Sequence, residues 1–133
     1  MNPQSQSQIL TGLSLLQVQA HKSARQHGFW EKTRTSGEIL GLVQRDVLNA
    51  SLAVYKCKGE SSNLPGFTVL EEELADAIIR LFDFAGGYEL RLSSAIISKL
   101  QYNINQLTKT YVPKVTVPQE ARNSNEEGSS RNG

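Results

Sequence analysis

The chain has 133 residues and a mass of 14.7 kDa, with 38% hydrophobic and 20% charged residues, enough for one modest core. Lys and Arg number 14 against 13 Asp and Glu, a net charge of +1, which argues against a nucleic-acid polymer as partner because such binding needs a basic excess. No apolar run approaches the roughly 18 residues of a membrane span, and Met1–Gln8 lacks a basic segment ahead of an apolar one, so neither a span nor a signal peptide is expected.

Residues 2–8 are only Asn, Pro, Gln and Ser and are expected to be flexible. Ile9, Leu13, Leu16, Ala20 and Ala24 then follow the spacing of one helix face. His21 sits at the border of that face. Gly28-Phe29-Trp30 breaks the pattern and places Trp30 in a loop. Packing is the plain role for His21 and Trp30; stacking on, or hydrogen bonding to, a base is the functional one.

Ile39, Val43, Val47, Ala50 and Val54 define a second helix face, closed by Gly59. At ~100° per residue, Asp46 falls inside this apolar arc and Asn49 at its edge. A carboxylate there must be paired, hydrated or metal-bound, because burying it alone costs several kcal/mol. Cys57, the only cysteine, rules out an intramolecular disulfide and fits a reducing cytoplasm; with two histidines, any metal site must rest on carboxylates. Ser61–Gly66 reads as a loop.

The third helix has a marked start, with Thr68 as N-cap and Glu71 three residues on. Leu70, Leu74, Ala77, Ile78, Leu81 and Ala85 form its main stripe. Ile79, Phe82 and Phe84 spread apolar character around most of the circumference, and Gly86-Gly87 ends it. A helix this apolar is buried on more than one side, so a second subunit is expected. Glu73 and Asp76 share a face at i, i+3, and Arg80 and Asp83 continue the column. Two carboxylates so spaced suit a hard divalent cation; a solvated acidic stripe with an Arg80 ion pair is the plainer alternative.

The fourth pattern runs from about Leu92 to Leu107, with Arg91 where a capping Ser or Asp is usual. Lys99 and Asn103 are placed on its inward face, flanked by Ile96 and Leu107, with Tyr102 beside them. A cation and an amide facing an acidic column suit a phosphate-bearing ligand, and a structural Lys–Glu pair would explain Lys99 as well. Beyond Leu107 the chain has two prolines, and Gln119–Gly133 has no apolar residue except Ala121. The expected organisation is a flexible N-terminus (1–8), an all-α helical domain of four main helices (9–107) and a mostly disordered tail (108–133).

From Glu72-Glu73-Leu74-Ala75-Asp76-Ala77-Ile78-Ile79-Arg80-Leu81-Phe82-Asp83 the chain resembles the MazG-like all-α nucleoside triphosphate pyrophosphohydrolases. His21 with Gly28-Phe29-Trp30-Glu31, the segment Gly37–Tyr55, and Lys99-Leu100-Gln101-Tyr102-Asn103 are similar in order and spacing, so the resemblance covers roughly residues 9–106. It implies a four- to five-helix bundle, a homodimer or homotetramer, and Mg²⁺-dependent (or Mn²⁺-dependent) hydrolysis of a nucleoside triphosphate to a monophosphate and pyrophosphate. It further implies metal binding by Asp46, Asn49, Glu73 and Asp76, with Glu73 and Asp76 catalytic. His21, Trp30, Lys99, Tyr102 and Asn103 are the implied substrate-binding residues. The family's ExxE on the second helix becomes Asp46 and Asn49, and a usual arginine after Tyr-Asn becomes Gln106. These departures imply weakened activity, or a catalytically inactive homologue that binds nucleotide or protein.

Overall fold

The computed structural model describes residues 1–110; of the tail expected to be mostly disordered (108–133), residues 111–133 lie outside the described residues. Four helices follow in order: α1 (Pro3–Gln26), α2 (Ser36–Tyr55), α3 (Val69–Gly87) and α4 (Leu92–Thr110), with a 3₁₀ turn at Phe29–Glu31. The described chain is all-α, and its one isolated β-bridge joins Glu60 to Thr68. The chain divides into two units, residues 1–97 and residues 98 onward, so α4 crosses the division. No described helix is long and apolar enough to cross a membrane.

α1 begins at Pro3 instead of Ile9, through the segment expected to be flexible. The Asn2 side chain accepts the Ser5 N–H at 2.8 Å, and Pro3 occupies the first turn, where its missing N–H has no helical partner to lose. The cap outweighs the polar composition of this stretch. α1 stops where Gly28 takes a left-handed conformation (φ 77°).

α2 and α3 both start with full capping boxes, Thr35 with Glu38 and Thr68 with Glu71. The second is the one legible in the chain's third apolar pattern. α2 ends at Tyr55, before Gly59, and Cys57 makes the reversal at φ 49°.

Within the first unit, α3 packs against both α1 and α2. Small residues sit where helices meet: Ala20, Ala50, Ala53, Ala77 and Ala85 are all buried. Ile39, 1% exposed, and Phe82, 4% exposed, are larger anchors, each worth about 1.5–3 kcal/mol of burial.

The inward faces of α2 and α3 differ from the sequence expectation. α2 buries Ile39, Val43, Asp46, Ala50 and Ala53, while Val47 and Val54 are exposed. The helix is turned so that Asp46, not Val47, meets its neighbour. On α3, Ala77, Phe82, Asp83 and Ala85 are buried, and Leu74, Ile78 and Leu81 face outward.

α4 continues to Thr110, past the expected end at Leu107. Lys99, Tyr102 and Asn103 are exposed on it, as is Leu107. The expected inward face through Lys99 and Asn103 is therefore a solvent face in the single chain. The Lys99 ammonium lies over the Tyr102 ring, 4.5 Å from its centroid, a contact two exposed neighbours on one helix can make.

Candidate functional site

Two clusters of polar groups are built around α3. The first joins α3 to α2. Asp46 is only 3% exposed, and Arg80 Nε donates to its Oδ2 at 2.9 Å. Arg45 Nη2 approaches Oδ1 at 3.5 Å. Of the outcomes open to an inward carboxylate, pairing is the one adopted. The ion pair is sound because both charges are matched before burial, which avoids an isolated buried charge.

Asp76 stands one helical turn before Arg80 on α3 and is exposed. Its carboxyl is held above the usual aspartate range, first by partial desolvation, then by repulsion from Asp46 and Glu72, with Arg80 and Arg45 opposing. Glu73 and Asn49 are half-buried. Glu73 and Asp76 carry no hydrogen bond or ion pair among the described residues.

Glu72, which precedes the Glu73/Asp76 pair, has a different task. It accepts from the Ser61 hydroxyl, and from Asn63 Nδ2 at 2.9 Å. These bonds lower its pKa and pin the 61–63 loop to the first turns of α3. Ser61 in turn accepts the N–H groups of Asn63 and Leu64, at 3.1 Å each.

The second cluster joins α3 to α1 and the 3₁₀ turn. Asp83, 4% exposed, accepts two bonds at Oδ1: from Trp30 Nε1 at 2.8 Å and from His21 Nδ1 at 2.9 Å. The carboxylate acceptor fixes the proton of His21 on Nδ1, leaving Nε2 as the free ring position. The His21 and Trp30 rings meet edge to face, 5.2 Å between centroids. Two glycines make room. A Cβ on Gly86 would lie 2.6 Å from His21 Cβ, and one on Gly87 would strike the Trp30 ring. Gly86-Gly87 therefore sets the approach of α1 and the turn, besides standing at the helix end.

Between these clusters an open cavity of about 420 Å³ is lined by Ser23, His27, Phe29, Asp76, Arg80 and Asp83, among others. The Arg34 guanidinium covers the Phe29 ring at 4.1 Å and donates to the Phe29 carbonyl, which fixes this wall.

The fold thus brings Asp46, Asp76 and Arg80 together, and separately His21 with Trp30. Lys99, Tyr102 and Asn103 lie on α4 in the second unit. Among the described residues no three His, Cys, Asp or Glu side chains form a ready metal cluster. The sequence marks Asp83 only by its place in the column of Glu73, Asp76 and Arg80, and nothing local to it signals its bonds to Trp30 and His21. No family model, curated protein or solved structure matches this chain.

Proposed function

We propose that this chain is a MazG-like nucleoside triphosphate pyrophosphohydrolase with a weakened cation site. It would cleave between the α- and β-phosphates, water adding to give a nucleoside monophosphate and pyrophosphate. The observation that carries the reading is the meeting of Asp46, Asp76 and Arg80 where α2 packs on α3. This is the region the resemblance assigns to the metal and phosphates.

A three-carboxylate cage is missing among the described residues, yet Mg²⁺ is ordinarily held by one or two carboxylates together with substrate phosphates and water. Glu73 and Asp76, both hard oxygen donors without another partner, fit that mode. Bound with the triphosphate, Mg²⁺ supplies neutralisation of phosphate charge and a more acidic attacking water.

The chain's own residues do the rest. Arg80, fixed by Asp46, holds a positive charge in place for phosphate oxygens without reorganisation. His21 Nε2 offers a hydrogen-bonding position to the base, its ring held by Asp83, and Trp30 offers an apolar surface beside it. The resemblance implies phosphate binding by Lys99 and Asn103 and substrate binding by Tyr102. The exposed Leu74, Ile78 and Leu81 face of α3 suits the homodimer or homotetramer that the resemblance implies.

A second reading, a catalytically inactive homologue that binds nucleotide or protein, is favoured by one observation. The α2 carboxylate is already neutralised by Arg80, and Asn49 adds no charge. A pyrophosphate-release screen over standard and damaged (d)NTPs, with Mg²⁺ and with Mn²⁺, separates the two. Release supports the enzyme. Calorimetric binding of Mg²⁺-nucleotide without release supports the inactive homologue. Neither release nor binding removes both nucleotide readings.

A further inference from the structure

The loop between α2 and α3 is held by its own hydrogen bonds. The Ser61 N–H donates to the Phe67 carbonyl at 2.8 Å, and the Phe67 N–H to the Leu64 carbonyl at 3.1 Å. The second bond closes a β-turn over Leu64-Pro65-Gly66-Phe67. Proline stands second in it, and Gly66 stands third at φ 89°, as a type II turn requires. Glu60 Oε1 accepts the Gly66 N–H at 2.7 Å, and Ser61 Oγ accepts the Leu64 N–H at 3.1 Å.

This ordered turn displays apolar side chains. Leu64 is 42% exposed and Phe67 53%, at the two ends that a β-turn brings within about 7 Å of each other. Phe67 directly precedes Thr68, the N-cap of α3. An apolar residue there commonly packs on the fourth residue of the helix. In α3 the fourth residue is Glu72, whose carboxylate is engaged with Ser61 and Asn63. A carboxylate therefore stands where the usual apolar cover for Phe67 would be.

The surround of the turn is acidic. Glu60 is bonded to Gly66, Glu71 to the Thr68 N–H at 3.0 Å beside Phe67, and Glu72 to Asn63 at 2.9 Å beside Leu64. No lysine or arginine occurs from Gly59 to Ile79. Such a rim repels anionic lipid and nucleic acid and steers a cationic partner toward the apolar tip. A turn already fixed by its own bonds loses little further freedom on binding. We propose that the Leu64–Phe67 turn is a docking surface for a basic amphipathic peptide segment of another protein, with Leu64 and Phe67 as its apolar anchors. This surface is independent of nucleotide hydrolysis.

The test is an amide NMR titration of the full chain with a helical peptide of leucine and lysine. A leucine–glutamate peptide of the same length and phosphatidylserine vesicles are the parallel arms. Saturable shifts at Leu64, Gly66 and Phe67 are expected with the leucine–lysine peptide alone, weakening as salt rises. Leu64→Ser and Phe67→Ser should each weaken binding about tenfold or more. Glu60→Gln with Glu71→Gln should also weaken it with the fold intact, because glutamine keeps both acceptor oxygens and removes both charges. The proposal is overturned by the absence of saturable shifts at the turn, by equal affinity for the leucine–glutamate peptide, or by equal affinity in the serine variants and wild type. Vesicle binding through these residues, or shifts at the turn that follow protein concentration without peptide, would assign the surface to a membrane or a second copy and overturn it as well.

Discussion

Arg80 Nε and Asp46 Oδ2 lie 2.9 Å apart, bonding the middle of α3 to the middle of α2. The aspartate side chain is 4% exposed and the arginine side chain 23%. This pair lies on the buried face of α2 with Val43 and Ala50, and it occupies a carboxylate that would otherwise be open to a divalent cation. Stability and the state of the candidate site therefore rest on the same contact.

Arg80→Met leaves Asp46 with only the more distant Arg45 and should destabilise the fold by about 3 kcal/mol. Arg80→Met with Asp46→Leu should recover most of that loss, since two apolar groups replace two charges. Urea unfolding of the single and double variants measures both, and equal stability of the two variants would show that Asp46 does not depend on Arg80.

Gly86→Ala and Gly87→Ala should each cost about 1–3 kcal/mol through overpacking against His21 and Trp30. Trp30 is the chain's only tryptophan, so its emission reports the change directly. Gly12, with open space around it, is the control: Gly12→Ala should not destabilise α1.

The pH dependence of Asp76 has a definite sign. Its folded pKa lies above its unfolded value, so the folded chain binds this proton more tightly. Between those two values stability falls as pH rises, and above both the penalty is complete. Asp76→Asn should then raise the melting temperature near pH 7 and leave it unchanged near pH 3, where the acid is protonated in both states. Glu72 has the opposite sign: Ser61 and Asn63 lower its pKa, so its contribution is present above its unfolded pKa and lost as pH falls through the folded value. Glu72→Gln should lower the melting temperature near pH 7 and not in acid. Thermal melts of both variants across pH read the two trends.

Local signals in the chain translated well into structure. Thr68 and Glu71 form their capping box because both ends of it lie within one turn. Asn2-Pro3 carried an equally local signal, which the polar composition around it obscured. Periodicity placed Asp46 in the buried arc, but its partner Arg80 comes from another helix and no spacing rule supplies it. Asp83 lies 62 residues from His21 and 53 from Trp30, so its role exists only once α1 and the turn are packed on α3. Gly86 and Gly87 read as a helix stop, while their lack of a Cβ matters for what approaches from α1. Lys99 and Asn103 read as inward because Ile96 and Leu107 flank them, yet both are exposed, as is Leu107 itself.

Asn49→Glu adds a carboxylate one turn from Asp46 on α2 and should strengthen Mg²⁺ binding, as read by calorimetry. Unchanged binding would mean that Asn49 does not face the cation. The wild-type residue is half-buried, so circular dichroism should accompany the titration to show that the fold is kept.

The central claim is that Glu73 and Asp76 serve nucleotide hydrolysis. It is tested most directly by pyrophosphate release from a nucleoside triphosphate with Mg²⁺, in wild type, Glu73→Gln and Asp76→Asn, each shown folded by circular dichroism. The account predicts measurable release by the wild type and a loss of about a hundredfold or more in both variants, the size expected when a charge acting in the transition state is removed. Equal rates in all three, or no release from any triphosphate by the wild type, would contradict it.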